Sequence, residues 1–258
     1  RDQPRSRGLG DVYKRQYSHF VLANLFCMPY NPATADNYLG IPYMDHAETD
    51  LNPRYDRGTL KEVYEMIGKD IEEGIPLIDD TSYAVPKYHF NYKAACCFAS
   101  RYYLFIQDWD NAIKYATEAL TSNPTSLLRD YDAIAAIPNG TSRHQAYVQS
   151  SSSANFLVQA ATSSAGTVFG WYTTAGRYAH GKLQGTYETV QPKYGGPWGN
   201  SVYFKAGHAV LASSGKYILP RIWYTFQYTD PVAGTGYSKA VSVLFCMEEA
   251  LLNRAEAY

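Results

Sequence analysis

Aromatic rings stand beside polar side chains and glycines in two stretches of the sequence, GWYTTAGR at 170–177 and YGGPWGN at 194–200. A flat ring can stack on the C–H face of a sugar, while amide, guanidinium or hydroxyl groups bind the sugar hydroxyls. Glycines let a backbone approach a ligand and leave a ring exposed. The candidate ligand-binding residues are Trp171, Tyr172, Arg177, Tyr194, Trp198 and Asn200. Packing of the same rings within their own loops is the alternative that the composition leaves open.

Catalytic chemistry lacks residues at the spacing it requires. Hydrolysis of a sugar bond would need two carboxylates placed across that bond, and no spacing pairs the available ones. These are Glu48, Asp50, Glu188 and Asp230. The serine runs contain no G-x-S-x-G elbow, no glycine-rich phosphate loop occurs, and the six histidines are scattered singly. The sequence therefore predicts a protein without catalytic activity.

The metal-binding side chains show no spacing typical of a site. The loop at 31–57 could offer oxygens to calcium from Asp36, Asp45, Glu48 and Asp50. It lacks the alternating pattern of a calcium loop, so solvated surface carboxylates are the other interpretation. The four cysteines are Cys27, Cys96, Cys97 and Cys246. They have neither zinc-ligand spacing nor an even framework, so we predict no disulfide, no metal and no cofactor.

The overall composition is that of a globular protein with an aromatic surplus. Lysine and arginine together number 23, against 24 for aspartate and glutamate, and no segment concentrates the basic residues. Nucleic acid is therefore excluded as a partner. The 25 tyrosines and four tryptophans exceed what a core usually requires, so some should lie at the surface.

The elements that must position these residues begin with an unambiguous helix. Thr59 and Glu62 form a capping-box pattern. Six apolar residues then recur every three or four positions and predict one buried stripe, on a helix that ends near 74–76. They are Leu60, Val63, Tyr64, Ile67, Ile71 and Ile75.

Two further helices are predicted to form a hairpin. The first has an apolar face that consists of Ala95, Phe98, Ala99, Tyr102, Phe105 and Ile106. Asp108 can cap the second helix, in which Ala112, Ala116 and Ala119 fall at the small-residue positions of a tetratricopeptide repeat. Tyr103 falls at that repeat's aromatic position. One repeat cannot bury its own face, so other hairpins are expected.

The remaining segments divide the chain. Residues 1–16 have no amphipathic period and are interpreted as a non-native or disordered flank, and a helix is expected from Tyr17, with Phe20, Val21, Asn24, Leu25 and Met28 on one face. Residues 17–124 form a helical platform, 125–240 a loop-rich, partly β elaboration, and 241–258 the start of a further helical hairpin. The fold class is mainly α, and the chain is interpreted as truncated at both ends.

Three blocks of this sequence resemble the SusD-like (RagB/SusD) family of Bacteroidetes. The blocks are YSHFVLANLFCMPYN; LGIPYMDHAETDLNPRYDRGTLKEVYEMIGKDIEEGIPLIDD continuing to PKYHFNYKAACCFASRYYLFIQDWDNAIKYATEAL; and LFCMEEALLNRAEAY. They include an Arg-x-Thr-then-Glu-Val-Tyr helix start at 57–64 and a closing Arg-Ala-Glu-Ala at 254–257. Residues 17–258 are accordingly identified as an incomplete SusD-like domain.

The resemblance implies a nutrient-binding lipoprotein at the extracellular face of the outer membrane. Such a protein caps a SusC-type TonB-dependent transporter and captures oligosaccharide or another nutrient for import. It implies a lipid anchor on a cysteine near a signal peptide; Cys27 already lies in the first matched helix, so that anchor is absent from this fragment. A tetratricopeptide-type scaffold that recognises peptides is the alternative, and a polar concave groove lined with Asn, Lys and Arg would favour it.

Overall fold

The structure is a computed structural model that describes residues 4–44, 54–138, 140–165 and 222–258. The chain divides into two compact units, one formed by residues 1–126 and 245–258 and the other by residues 127–244. The predicted class, mainly helical with a partly β elaboration, is confirmed. No helix among the described residues has the length and apolar character needed to cross a membrane.

The first helix of unit 1, α1, spans Pro4–Phe26, so it starts well before Tyr17. Its buried positions are Gln16, His19, Phe20 and Ala23. The expected face is therefore corrected: Leu25 is 69% exposed and Met28 53% exposed, although Phe20 is buried as expected. His19 faces inward, where the Met44 N–H donates a hydrogen bond to it, whereas the buried Oε1 of Gln16 has no hydrogen-bond partner among the described residues. Arg15, placed by its sequence in the flank, forms an ion pair of 2.6 Å with Asp70.

Helix α2, Leu60–Gly74, confirms the clearest pattern in the sequence. Thr59 accepts a hydrogen bond from the Glu62 N–H, and the Glu62 side chain accepts one from the Thr59 N–H, which completes the capping box. All six residues of the predicted stripe are buried, from Leu60 at 0% exposed to Ile75 at 7%. Burial of a continuous stripe of large aliphatic side chains is what holds this helix against its neighbours.

Helices α3, Tyr92–Phe105, and α4, Trp109–Leu120, form the predicted hairpin. Asp108 caps α4 by accepting a hydrogen bond from the Asn111 N–H. The small residues Ala112, Ala116 and Ala119 are all fully buried, so the two helices pack at close range. The predicted face of α3 is confirmed except at its end, where Phe105 is 42% exposed and Ile106 lies beyond the helix.

Helix α2 crosses α3 closely at Gly68. The Tyr102 hydroxyl donates a hydrogen bond of 2.7 Å to the Tyr64 carbonyl in the buried interface. A Cβ atom at Gly68 would collide with that hydroxyl, so the position requires glycine. Tyr103 stacks on Tyr115 of α4 at 5.4 Å between ring centroids, consistent with the aromatic position of the repeat.

The last helix of unit 1, which we number α7, spans Met247–Ala257. The helical segment expected at 241–258 is therefore shorter than predicted, because residues 241–246 belong to a strand. Val241 and Val243 are β-branched and pack well on a pleated surface, which favours the strand. Met247, Ala250 and Asn253 are the buried residues of α7.

The described part of unit 2 includes two short helices, α5 at Tyr131–Ala136 and α6 at Gly140–Val148. Ile134, Tyr147 and Val148 form the centre of its core. Arg129 is buried over the Tyr147 ring, 4.0 Å from the ring centroid, and donates hydrogen bonds to the Tyr147 carbonyl and to Asn155 Oδ1. These acceptors offset the cost of taking a guanidinium out of water.

The strands of unit 2 are β1 at Asn155–Thr162, β2 at Ile222–Asp230 and β3 at Thr235–Cys246. They form a sheet in the order β1-β3-β2, with β2 and β3 antiparallel. Trp223 pairs with Val241, and both pack against the α5–α6 core. This fixes which face of the hairpin points toward the helices of its own unit.

Candidate functional site

The six residues predicted to bind a ligand lie outside the described residues. They are Trp171, Tyr172, Arg177, Tyr194, Trp198 and Asn200. The loop carboxylates Asp45, Glu48 and Asp50 also lie outside. Asp36, the described member of the possible calcium set, pairs with Lys61 at 3.2 Å. Among the residues that the structure describes, no group of three or more His, Cys, Asp or Glu side chains is arranged to hold a metal ion.

A row of aromatic residues on β2 is the best candidate site within the described residues. Successive side chains of a strand alternate between its faces, and Trp223 points to the helices of unit 2. Tyr224, Phe226 and Tyr228 therefore share the opposite face. We call these three residues the aromatic row.

Small residues on β3 face the aromatic row. Tyr224 pairs with Ala240, Phe226 with Ser238, and Tyr228 with Gly236. Directly paired residues lie on the same face of an antiparallel sheet. None of these partners carries a large side chain, so the rings are displayed on the sheet, and Ser238 adds a hydroxyl beside them.

The outer two rings of the row, those of Phe226 and Tyr228, are in direct contact. Their centroids are 4.9 Å apart and the rings are inclined at 72°, so the edge of one meets the face of the other. Tyr228 is 58% exposed, whereas Phe226 is half-buried. A Cβ atom at Gly236 would lie 2.9 Å from Phe226 Cε1 and would also collide with the Gln227 carbonyl oxygen. Phe226 thus lies close to Gly236 and contacts Tyr228, whose side chain is largely exposed.

The turn between β2 and β3 is tightly organised. Asp230 Oδ1 accepts hydrogen bonds from the N–H groups of Val232 and Ala233, at 2.9 and 3.0 Å. Gly234 has a φ of +67°, which L side chains rarely adopt. The exposed end of the aromatic row is therefore held by a hairpin of defined register.

Unit 1 contains a groove with a volume of about 450 Å³. Its described lining includes Ile41 and Tyr43 on one side and Val63, Met66 and Lys69 of α2 on the other. The carboxylates at its rim belong to Asp56, Glu62 and Glu65. This described lining is acidic and partly apolar, unlike the Asn-, Lys- and Arg-lined groove that would favour a peptide-binding scaffold.

Tyr43 connects the groove to the buried side of α1. Its hydroxyl donates a hydrogen bond of 2.5 Å to Asp70 Oδ2, and its ring stacks on His19 at 4.1 Å between centroids. Burial raises the pKa of Tyr43 well above the ordinary tyrosine range, and the hydrogen bond to Asp70 raises it further. Tyr43 is therefore protonated at all physiological pH values and acts as a hydrogen-bond donor.

Sequence reasoning did not single out the aromatic row, although a signal was present. The run IWYTFQYTD places aromatic residues at alternate positions, and TGYSKA places Gly236, Ser238 and Ala240 at alternate positions of the next run. A period of two in both runs, around a Pro-Val-Ala-Gly turn, is typical of a hairpin with one aromatic face.

Comparison with known families agrees with this architecture. A SusD-like family model, described as starch-binding associating with outer membrane, matches residues 12–104. That range covers residues 12–26 of α1, all of α2 and all but the last residue of α3. No curated protein matches the chain significantly.

Solved structures with a similar fold come from Bacteroides. A SusD superfamily protein from Bacteroides thetaiotaomicron VPI-5482 aligns with a TM-score of 0.58 and 18% identity, over 96% of this chain and 53% of that chain. A SusD superfamily protein from Bacteroides vulgatus ATCC 8482 gives 0.53 and 19%, over 94% and 51%. A SusD-like carbohydrate binding protein from the same organism gives 0.56 and 14%, over 100% and 52%. The chain thus spans about half the length of these structures.

The fold combines close-packed helices with a second unit that contains a small sheet. It therefore belongs to the class of tetratricopeptide-like helical proteins with a β elaboration. Within that class the resemblance to the SusD-like family is confirmed. It stands on the family-model match over residues 12–104, and the two solved SusD superfamily structures, at 18% and 19% identity, share the fold of this chain.

Proposed function

We propose that this chain is the ligand-capturing part of a surface nutrient-binding protein that has no catalytic activity of its own. The nutrient is an oligosaccharide, bound by stacking on the aromatic row. The protein works at the extracellular face of the outer membrane, held by a lipid anchor, and delivers its ligand to a SusC-type TonB-dependent transporter.

The aromatic row is the observation that carries this proposal. Sugar rings bind proteins through their C–H faces, and an exposed tyrosine supported from beneath gives a rigid apolar platform with a hydroxyl at its rim. Tyr228 has that character because Phe226 contacts it edge-to-face at 4.9 Å. The description of the matched family as starch-binding and associated with the outer membrane supports the same ligand class and location.

The aromatic residues of the middle segment extend the proposed recognition surface. Trp171, Tyr172, Arg177, Tyr194, Trp198 and Asn200 combine flat rings with amide and guanidinium groups. Rings stack on the sugar faces and the planar polar groups bind its hydroxyls, so the two kinds of residue have complementary roles.

Affinity gel electrophoresis in starch and a panel of other polysaccharides tests the ligand. Migration of the parent chain should be retarded by at least one of them. Tyr228→Ala should weaken binding about 2–12-fold, the effect of losing roughly 0.5–1.5 kcal/mol of aromatic contact. Tyr88→Ala is the matched control, because Tyr88 is 57% exposed against 58% for Tyr228 but belongs to unit 1. It should bind like the parent.

Two outcomes would contradict the proposal. If no polysaccharide retards the parent, the ligand is not a glycan. If the parent is retarded and Tyr228→Ala equally so, with an unchanged circular dichroism spectrum, the aromatic row is not the site. Trp171→Ala and Trp198→Ala then test the middle segment, with Trp109→Ala, 45% exposed on α4, as their control.

The delivery step has its own test. A large TonB-dependent barrel should be encoded next to this protein, and the two should copurify from solubilised outer membranes. The proposed transporter partner is contradicted if no such barrel is found in the neighbouring reading frames or in the purified complex. Glycan binding is tested separately by the affinity gels.

A further inference from the structure

The hydrogen bonds of His19 define its tautomer. Nδ1 lies 2.8 Å from the Arg15 carbonyl oxygen, which can only accept, so Nδ1 must carry a proton. The Met44 N–H donates to Nε2 at 2.9 Å, and a backbone N–H can only donate, so Nε2 must be bare. The imidazole is therefore neutral, and both of its nitrogens are used.

The ring is enclosed by three elements. Only 6% of the surface of His19 is exposed. The charged group nearest it on α1 is Arg15, Asp70 faces it from α2, and the Tyr43 ring stacks on it from the segment before residue 45. Asp70 is already occupied, because it accepts hydrogen bonds of 2.8 and 2.6 Å from Arg15 and one from Tyr43. Its charge is thus largely committed to partners other than His19.

Hydrogen bonds hold the segment 40–44 at three points, which are Gly40, the Tyr43 hydroxyl on Asp70, and Met44. At its start the Gly40 N–H donates to the Gly58 carbonyl at 2.7 Å, and Arg57 Nε donates to the Gly40 carbonyl at 2.6 Å. At its end the Met44 N–H donates to His19. Between these ends, Ile41 and Tyr43 line the groove of unit 1.

We propose that His19 is a pH-sensitive latch for this wall of the groove. Protonation of Nε2 places an N–H against the Met44 N–H, so the hydrogen bond is lost and two donors face each other. The backbone contact of Met44 is then broken, while the contacts of Gly40 and the hydrogen bond from Tyr43 to Asp70 stay in place. The groove wall is closed at neutral pH and loosened in acid. This inference concerns unit 1 and does not rest on glycan binding.

The direction in which the pKa of His19 is shifted agrees with the proposed latch. Burial lowers the pKa of His19 below the ordinary 6.5, the hydrogen bond to the Arg15 carbonyl opposes that shift, and the Arg15 charge lowers the pKa again. A folded-state pKa below the unfolded value means that the unfolded chain binds the proton more readily. The stability that neutral His19 provides is complete above about pH 6.5 and is lost as the pH falls through its lowered pKa.

Nuclear magnetic resonance on the intact chain tests the latch. Selective ¹⁵N-histidine labelling should show His19 at neutral pH with a protonated Nδ1 and a bare Nε2, and the His19 ring signal is assigned in the parent chain by through-bond correlation to its own backbone amide. Amide exchange of Met44, expressed as a protection factor corrected for intrinsic pH dependence, is followed from pH 7.5 to 4.5. Protection should fall about 5-fold or more, as expected for loss of one hydrogen bond, with the midpoint of the His19 titration.

The variants separate a latch from general acid loosening. His19→Gln places an amide oxygen, which does not titrate, where Nε2 stood, so Met44 protection should become independent of pH. His89→Gln is the control, since His89 is exposed and stacks on Tyr83 at 4.0 Å. It should keep the pH response of the parent.

The proposal is overturned if the parent ring carries its proton on Nε2 at neutral pH, or if Met44 protection does not change while His19 titrates. The proposal is also overturned if Met44 protection in folded His19→Gln changes with pH as it does in the parent. The first two measurements use the parent chain alone, so they decide the matter even if His19→Gln fails to fold.

Discussion

Arg101 of α3 and Glu249 of α7 form a two-pronged ion pair across 148 residues of sequence, with Nε–Oε1 at 2.5 Å and Nη2–Oε2 at 2.8 Å. The guanidinium also lies over the Phe245 ring at 4.7 Å from its centroid. Beside it, Asn253 donates a hydrogen bond to Ser100 Oγ at 2.9 Å, and both side chains are buried. The last helix is therefore attached to the hairpin by polar contacts that tolerate little displacement.

Glu249→Gln should destabilise unit 1 by about 1–3 kcal/mol, because a partly buried guanidinium loses a charged, two-pronged acceptor. Glu73→Gln is the control, because the 3.9 Å ion pair between Glu73 and Lys69 is exposed. Its loss should change the free energy of unfolding by no more than about 0.5 kcal/mol. Urea unfolding followed by circular dichroism measures both. Equal midpoints for the two variants would show that the Arg101–Glu249 pair adds nothing to stability.

Ala116→Leu should destabilise the chain by about 1–3 kcal/mol. Ala116 is fully buried between α3 and α4, and the close packing leaves no room for three more carbon atoms. Ala255→Leu, on an exposed position of α7, should stay within about 0.5 kcal/mol of the parent. The midpoint of urea unfolding gives both values, and a neutral Ala116→Leu would refute close packing at this helix crossing.

Gly236→Ala should weaken both the hairpin and ligand retention. The added Cβ meets the Gln227 carbonyl oxygen and the Phe226 ring, so β2 and β3 must move apart. Gly234→Asn is the control, because asparagine tolerates the positive φ there and no atom lies within 4 Å of the added Cβ. Protection of the β2–β3 amides from exchange reports the hairpin. Parent-like protection in Gly236→Ala would mean that the strands accommodate a methyl group without moving.

Thiol reactivity should distinguish Cys27 from the other cysteines. All four are free, and burial raises the pKa of Cys96 and of Cys246 to about 12 and that of Cys97 well above its ordinary value. At pH 8 these three are protonated, and Cys96 and Cys97 are also buried, so the folded chain should react with Ellman's reagent fastest at Cys27, and unfolding should expose all four. Cys27→Ser should abolish the fast reaction of the folded chain. Rapid reaction that persists in this variant would contradict the burial of the other thiols.

The helices that sequence predicted well are those with a single unambiguous period. In α2 the capping box and the apolar stripe both agree with the structure, because the six residues of the stripe share one buried side of the helix; Met66, which lies off the stripe, is 38% exposed. In α1 the apolar residues are spread around the helix, and its buried side includes the polar residue His19, whose partner Met44 is distant in sequence. No local pattern reveals such a contact.

The strand at 235–246 shows a second limit of prediction from sequence. A run such as AVSVLFC is compatible with a buried helix or a buried strand, and periodicity alone cannot separate them. Pairing with β2, through Ile222–Ser242 and Trp223–Val241, decides in favour of the strand. The same pairing creates the aromatic row. The site predicted at 171–200 rests on composition alone and remains a prediction.

The order of the two units along the chain has a consequence for synthesis. The contacts between α7 and the α3–α4 hairpin form only when residues 245–258 have been made, after roughly 120 residues of unit 2, because they join positions about 150 residues apart. At about 5–20 residues per second, the ribosome takes roughly 6–24 s to traverse that interval. Throughout it, the surface of α3 and α4 that α7 will cover stays bare, which makes the nascent platform a natural client for a chaperone.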